Sequence, residues 1–237
     1  MPDGSVQIVL RWYPALFSIA CFGTVVLLRS WLVRKRTGIE RAVAVRPRTF
    51  ALSSLLVLSQ FALQAAMGVQ IVLFTMQRAS YDVFGRVDAL ESPWMGALGV
   101  VLTLCGWGWM WFSQSHLGES WRIGIDECTD NVLKTNGFYR FSRHPIFTGL
   151  MAVQIGLFCQ MPTIASALVV LGYALVLEIE MRREEAYLLR QHGEAYQRYM
   201  LHSGRWLPRL GAVAEQVMTI KFEPRTVEDK TERRRAA

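Results

Sequence analysis

Five long apolar stretches punctuated by polar connections organise the chain: Trp12 to Val33, Phe50 to Met76, Pro93 to Phe112, Pro145 to Met161 and Ile164 to Ile179. A helix crossing the hydrocarbon core needs about 20 residues. The first three stretches reach that length and are read as spanning helices. The last two are shorter and are joined by Met161-Pro162-Thr163, a turn signal. They are expected to form a tight helical hairpin whose two ends return to the same side. Few charges precede the first stretch and no small-residue cleavage site follows it, which argues against a removable signal peptide. The pattern predicts an all-α integral membrane protein with about five transmembrane helices. Residues 1–114 hold the first three helices, 115–210 a polar loop, the hairpin and an amphipathic C-terminal helix, and 211–237 a charged tail.

Composition agrees with that reading. Hydrophobic residues make up 52% of the 237, with 8 tryptophans, which is outside the range of an ordinary soluble domain. The formal net charge of +7 suits contact with anionic lipid. The basic residues sit between apolar runs and not along one face, so the charge does not point to nucleic acid. Cys21, Cys105, Cys128 and Cys159 show no CxxC spacing, and His116, His192 and His202 are scattered, so neither a disulfide framework nor a metal site is expected.

Lysine and arginine in the connections set the orientation. Arg34, Lys35, Arg36, Arg41, Arg46 and Arg48 oppose only Glu40 between the first two helices, so that loop should be cytoplasmic. An outside amino terminus and an inside carboxyl terminus follow. Arg29, near the inner end of the first helix, is expected to snorkel to the headgroups. The aromatic run Trp107 to Phe112 is expected at the cytoplasmic boundary as an interface anchor.

The distinctive polar residues then collect on the cytoplasmic side, in Ser120 to Pro145 and in Glu178 to Met200. Asn136-Gly137 forms a turn before Phe138 and Tyr139. Pro145 suits the first position of a helix, which holds Arg143 and His144 just outside a helix amino terminus that favours an anion. Two readings stand: an anion site with Arg143 as a fork-shaped partner, or an anchor to lipid headgroups. In the second segment Glu180 and Glu184 share a helix face, as do Glu178 and Arg182. Like charges at that spacing cost stability unless a cation or polar ligand lies between them; a solvated, salt-bridged helix end is the plainer account.

Together these segments resemble the isoprenylcysteine carboxyl methyltransferase family and its relatives among phospholipid methyltransferases. The first block of the family pattern is met by Gly137, Tyr139, Arg140, Arg143, His144, Pro145, Phe147 and Gly149, with phenylalanine at 147 where many members carry tyrosine. The second is met by Glu184, Glu185, Leu188, Gly193, Tyr196, Tyr199 and Pro208. The likeness covers roughly residues 118 to 208. It implies an integral-membrane methyltransferase that uses S-adenosyl-L-methionine in a cytosolic pocket, and no Gly-rich Rossmann fingerprint competes with that reading.

The resemblance makes Tyr139, Arg143, His144, Pro145, Phe147, Gly149, Glu184, Glu185 and Tyr196 the expected cofactor residues. Trp121 is a further candidate to stack on the adenine. Arg143, Glu184, Arg122 and Arg205 are the expected catalytic residues. The expected partners are the bilayer and a lipophilic or prenylated small substrate. A carboxylate or thiolate acceptor would attack the methyl group in line without a general base; an amine would need one, such as Glu184 or His144.

Overall fold

The structure, a computed structural model, describes residues 4–37, 50–77, 79–117 and 133–207. Arg122 and Trp121, the basic loop residues Arg41, Arg46 and Arg48, Pro208 and the charged tail lie outside the described residues. The helices are α1 (Gly4–Phe22), which runs through a π-helical segment (Gly23–Leu28) into α2 (Arg29–Thr37), then α3 (Phe50–Thr75), α4 (Pro93–Leu117), α5 (Pro145–Gln160), α6 (Ile164–His192) and α7 (Glu194–His202). Among the described residues there are isolated β-bridges but no strand. The all-α membrane architecture is as expected.

Among the described residues, four segments are long and apolar enough to cross a bilayer: Ile8–Leu32, Ser54–Thr75, Pro93–Leu117 and Ile164–His192. The fifth apolar helix, α5, has 16 residues and is about 24 Å long at 1.5 Å per residue, shorter than the other four. The hairpin itself forms as expected. Thr163 caps α6: its hydroxyl accepts from the Ser166 amide at 2.9 Å, while the Ser166 hydroxyl accepts from the Thr163 amide at 3.0 Å. Backbone bonds from Ile164 N to Gly85 O and from Val87 N to Pro162 O, at 2.8 and 2.9 Å, tie the hairpin tip to the α3–α4 connection.

Lipid offers no hydrophobic drive for one apolar helix to join another, so close backbone approach and hydrogen bonds decide the packing. The pair α4–α5 uses the first. Gly99, Thr103, Gly106 and Met110 form the buried stripe of α4, and Gly149, Val153 and Gly156 face them. A Cβ on Gly149 would lie 2.7 Å from the Gly106 carbonyl oxygen, and one on Gly156 2.7 Å from that of Gly99. The pair α3–α6 uses the second. The Tyr173 hydroxyl donates to Gln64 Oε1 at 2.8 Å, Thr163 Oγ1 donates to Gln70 Oε1 at 2.9 Å, and the Gln60 amide donates to Glu180. Gln154 of α5 joins by donating to Gln64 Oε1 at 3.1 Å. Met67, Leu157, Met161, Leu177 and Met181 fill the core between these helices.

Two boundary expectations change. Arg29 does not snorkel: it is buried and donates from Nη2 to the Gln114 carbonyl at 2.7 Å, in the last turn of α4, where carbonyls lack helical partners. The aromatic run is not solely an interface belt either, since α4 continues to Leu117 and Trp107 donates to Thr24 Oγ1 at 2.9 Å. That bond reaches the π-helical segment, where Thr24 also donates to the Ala20 carbonyl.

Candidate cofactor and catalytic site

The site is built outward from the turn at Asn136-Gly137. Gly137 has a φ of +61°, and a Cβ there would meet the His116 ring at 2.4 Å, so glycine is required on both counts. The turn is held by aromatic contacts: Phe138 meets Trp109 edge-on at 4.7 Å and stacks on Phe112 at 6.2 Å. A 3₁₀ turn, Gly137–Arg140, carries the chain to Ser142. Pro145 starts α5 with His144 as the N-cap residue, and the Ser142 hydroxyl accepts from the His144 amide at 3.1 Å. The segment after α7 zips onto this one. Arg143 N donates to Gly204 O at 2.8 Å, Ser142 Oγ to Arg205 O at 2.9 Å and Thr148 Oγ1 to Trp206 O at 2.7 Å.

Those backbone bonds bring Arg143 and Arg205 to opposite sides of Glu185. Arg143 Nε donates to Glu185 Oε1 at 2.8 Å, and its Nη1 reaches the Met200 and Ser203 carbonyls at the end of α7. Arg205 Nη2 donates to Glu185 Oε2 at 2.7 Å, while its Nη1 reaches Glu178 Oε1 at 2.6 Å. Glu178 and Glu185 lie two turns apart on α6, so one guanidinium bridges both. Trp206 Nε1 adds a bond to Glu178 Oε2 at 3.2 Å. Arg143 and Glu185 are nearly removed from water, and their charges survive there because each is paired and hydrogen-bonded.

His144 sits on the other side of the carboxylates. Its Nδ1 stands 3.4 Å from Glu184 Oε2 and its Nε2 3.4 Å from Glu185 Oε1. Burial opposes the charged imidazolium, yet the two carboxylates outweigh it and raise the pKa above its ordinary 6.5. Phe147 stacks on the ring at 5.7 Å. Beyond that ion-pair distance to Glu185, neither Nε2 nor the fully buried Tyr196 hydroxyl makes a hydrogen bond among the described residues. Buried polar atoms without partners are rare and mark places where a ligand completes the set. Glu184 supplies the open acceptor: its side chain is 39% exposed, and His144 is its ion-pair partner among the described residues.

Tyr139 and Tyr199 close the back. The Tyr199 hydroxyl donates to the Tyr139 carbonyl. Burial, followed by the Glu184 charge, pushes the Tyr139 phenol well above its usual range, so it stays neutral.

Residues 99–190 match the family model of the isoprenylcysteine carboxyl methyltransferase (ICMT) family. The match covers less than half of the chain, and over that segment the chain is similar to the ICMT family. The segment runs from α4 into α6 and takes in Arg143, His144, Glu184 and Glu185, which supports a membrane methyltransferase in general. Tyr196, Tyr199 and Arg205 follow the matched segment, yet they complete the same cluster. No curated protein matches the chain.

The cluster gathers most of the residues singled out from sequence, but in altered parts. Arg143, His144, Glu184, Glu185, Arg205, Tyr139, Phe147 and Tyr196 come together. Glu185 is not an open acceptor for a ligand ammonium, because Arg143 and Arg205 already occupy both its oxygens. Gly149 faces α4, where its lack of a side chain permits close packing, and Pro145 is a fully buried helix start. Of the like-charged pair Glu180 and Glu184, Glu180 accepts from the Gln60 amide, which reaches it from α3. Ser142, Thr148, Ser203, Gly204 and Trp206 were not anticipated. The compact polar run Ser203-Gly204-Arg205-Trp206 so soon after Tyr199 was the available signal.

Proposed function

We propose that the chain is an integral-membrane, S-adenosyl-L-methionine-dependent methyltransferase acting on a carboxylate of a membrane-embedded, prenylcysteine-like acceptor. The observation that carries the cofactor assignment is the pair His144 Nε2 and Tyr196 OH, which make no hydrogen bond among the described residues, beside the open carboxylate of Glu184. That donor set fits an amino-acid end: Glu184 takes an ammonium, and His144, whose charged form the two carboxylates favour against burial, offers Nε2 to a carboxylate. Phe147 and Tyr139 offer aromatic surface for a sulfonium and an adenine ring. Bound there, the cofactor supplies a methyl group made electrophilic by positive sulfur.

The protein's own part is alignment and exclusion of water. Arg143 and Arg205 clamp Glu185 and thereby fix α6 against the start of α5, so that Glu184 and His144 keep their relative positions. A carboxylate acceptor needs no proton removed, which suits a cluster whose carboxylates are already engaged with cations. Residues 115–210 form the methyltransferase region in this reading, with the cluster in the cytoplasm and the amino terminus outside. The second reading is a phospholipid amine acceptor. It is favoured by Glu180, one turn membrane-ward of Glu184, where a carboxylate would attract a cation.

Calorimetric titration with S-adenosylhomocysteine tests the pocket. Glu184→Ala should weaken binding at least ten-fold, about 1.4 kcal/mol, without loss of fold, and Arg143→Ala should weaken it as much while lowering the melting temperature, because it leaves buried Glu185 with Arg205 as its remaining arginine. Normal binding by both would reject it.

A further inference from the structure

A cavity of about 720 Å³ lies at the other end of the bundle, where α5 ends at Gln160, some 24 Å along that helix from the His144 cluster. Its lining mixes charge with apolar surface: Arg11, Asp82, Glu91 and Gln160 beside Phe74 and Tyr81.

The charges are not equivalent. Arg86, also at the rim, is consumed by its neighbours: Nε donates to Glu91 Oε1 at 2.9 Å and Nη1 approaches Asp82 Oδ1 at 3.4 Å. Arg11 is different. It lies about one turn inside the apolar Ile8–Leu32 span, its Nε is buried, and that atom makes no hydrogen bond among the described residues. A guanidinium at that depth calls for an anion. Gln160 presents a complementary group. Its amide nitrogen donates to the Gly156 carbonyl at 3.2 Å and its stem lies over Gly99, so the side chain is fixed while Oε1 stays buried without a donor. Among the described residues, Arg11 Nε thus lacks an acceptor and Gln160 Oε1 a donor. Ile8, Val9 and Trp12, exposed on the same end of α1, put the rim in contact with acyl chains.

We propose that this cavity binds the headgroup of a membrane phospholipid, with the phosphodiester on Arg11 and a donor of the headgroup, an ammonium or a hydroxyl, on Gln160 Oε1. Phe74 and Tyr81, whose rings meet at 5.5 Å, wall the glycerol side. The site is separate from the methyltransferase cluster and does not depend on its assignment.

The test titrates the detergent-solubilised full chain with phosphatidylethanolamine, phosphatidylglycerol or phosphatidylcholine in mixed micelles and reads lipid adducts by native mass spectrometry. The first two lipids carry a donor and should bind more tightly than the third. Arg11→Gln should weaken all three about ten-fold, or about 1.4 kcal/mol, whereas Arg11→Lys, which keeps the charge, should retain most of the binding and so separates loss of charge from loss of fold. Gln160→Met should abolish the preference over phosphatidylcholine. Equal affinity for the three lipids, wild-type binding by Arg11→Gln, or equally effective displacement by free O-phosphoethanolamine would each overturn the proposal.

Discussion

Between α4 and α5, Gly99 and Gly106 meet Gly156 and Gly149 so closely that backbone oxygens lie where side chains would start, whereas between α3 and α6 the gap is spanned by Gln60, Gln64, Gln70 and Tyr173. The first contact has no slack, because nothing flexible lies in it. The second is made of side chains with rotamer freedom and can shift without breaking the helices. The cluster joins the two systems: His144 caps α5, whose position is set by α4, while Glu184 and Glu185 ride on α6. Precise placement of a ligand therefore depends on the glycine contact, and its polar surroundings on the α3–α6 side.

The largest expected effect comes from cutting the link between these systems. Glu185→Ala leaves Arg143 and Arg205 facing each other without their shared counter-ion and should destabilise the protein by about 3–5 kcal/mol, measured by thermal unfolding in detergent. Gly149→Val comes next, at about 1–3 kcal/mol, because the added atoms meet the Gly106 carbonyl and Met110 and not a yielding side chain. Gly68→Ala is the matched control, since a Cβ there has nothing within 4 Å, and it should be neutral or slightly stabilising. Gln64→Leu removes the bonds from Tyr173 and Gln154 and should cost about 1 kcal/mol. If it costs as much as Gly149→Val, the contrast between a rigid and a compliant interface is wrong.

The smallest effect is a pH dependence. The His144 pKa is raised in the folded protein, so its charged form is stabilised there. Its contribution is fully present below about pH 6.5, the unfolded value, and is lost as pH rises through the higher folded value. The melting temperature should fall over that window in the wild type and change less in His144→Gln.

Much of the frame was legible in the chain. Pro162 and Thr163 announced the hairpin because one breaks a helix and the other caps the next, and Pro145 marked the start of α5 for the same local reason. Arg143, His144 and the two glutamates were found through their motifs. Their pairings were not, because Glu185 lies 42 residues from Arg143 and 20 from Arg205, and local periodicity carries no information over such separations. Nor did Arg29 betray its burial, since an arginine at a helix end reads alike whether it meets lipid headgroups or the Gln114 carbonyl. The glycines suggested close packing but not its location; only the facing of α4 and α5 shows which of them are in contact.

The central claim is methyl transfer, and its most direct test is to supply S-adenosylmethionine labelled in the methyl group to membranes containing wild type or Glu184→Ala, then sort the label by its stability to base. The account predicts label in lipid-soluble material from the wild type, released as methanol by base, and its loss in Glu184→Ala. Base-stable label would contradict the carboxylate acceptor, and equal labelling by both proteins would contradict the site itself.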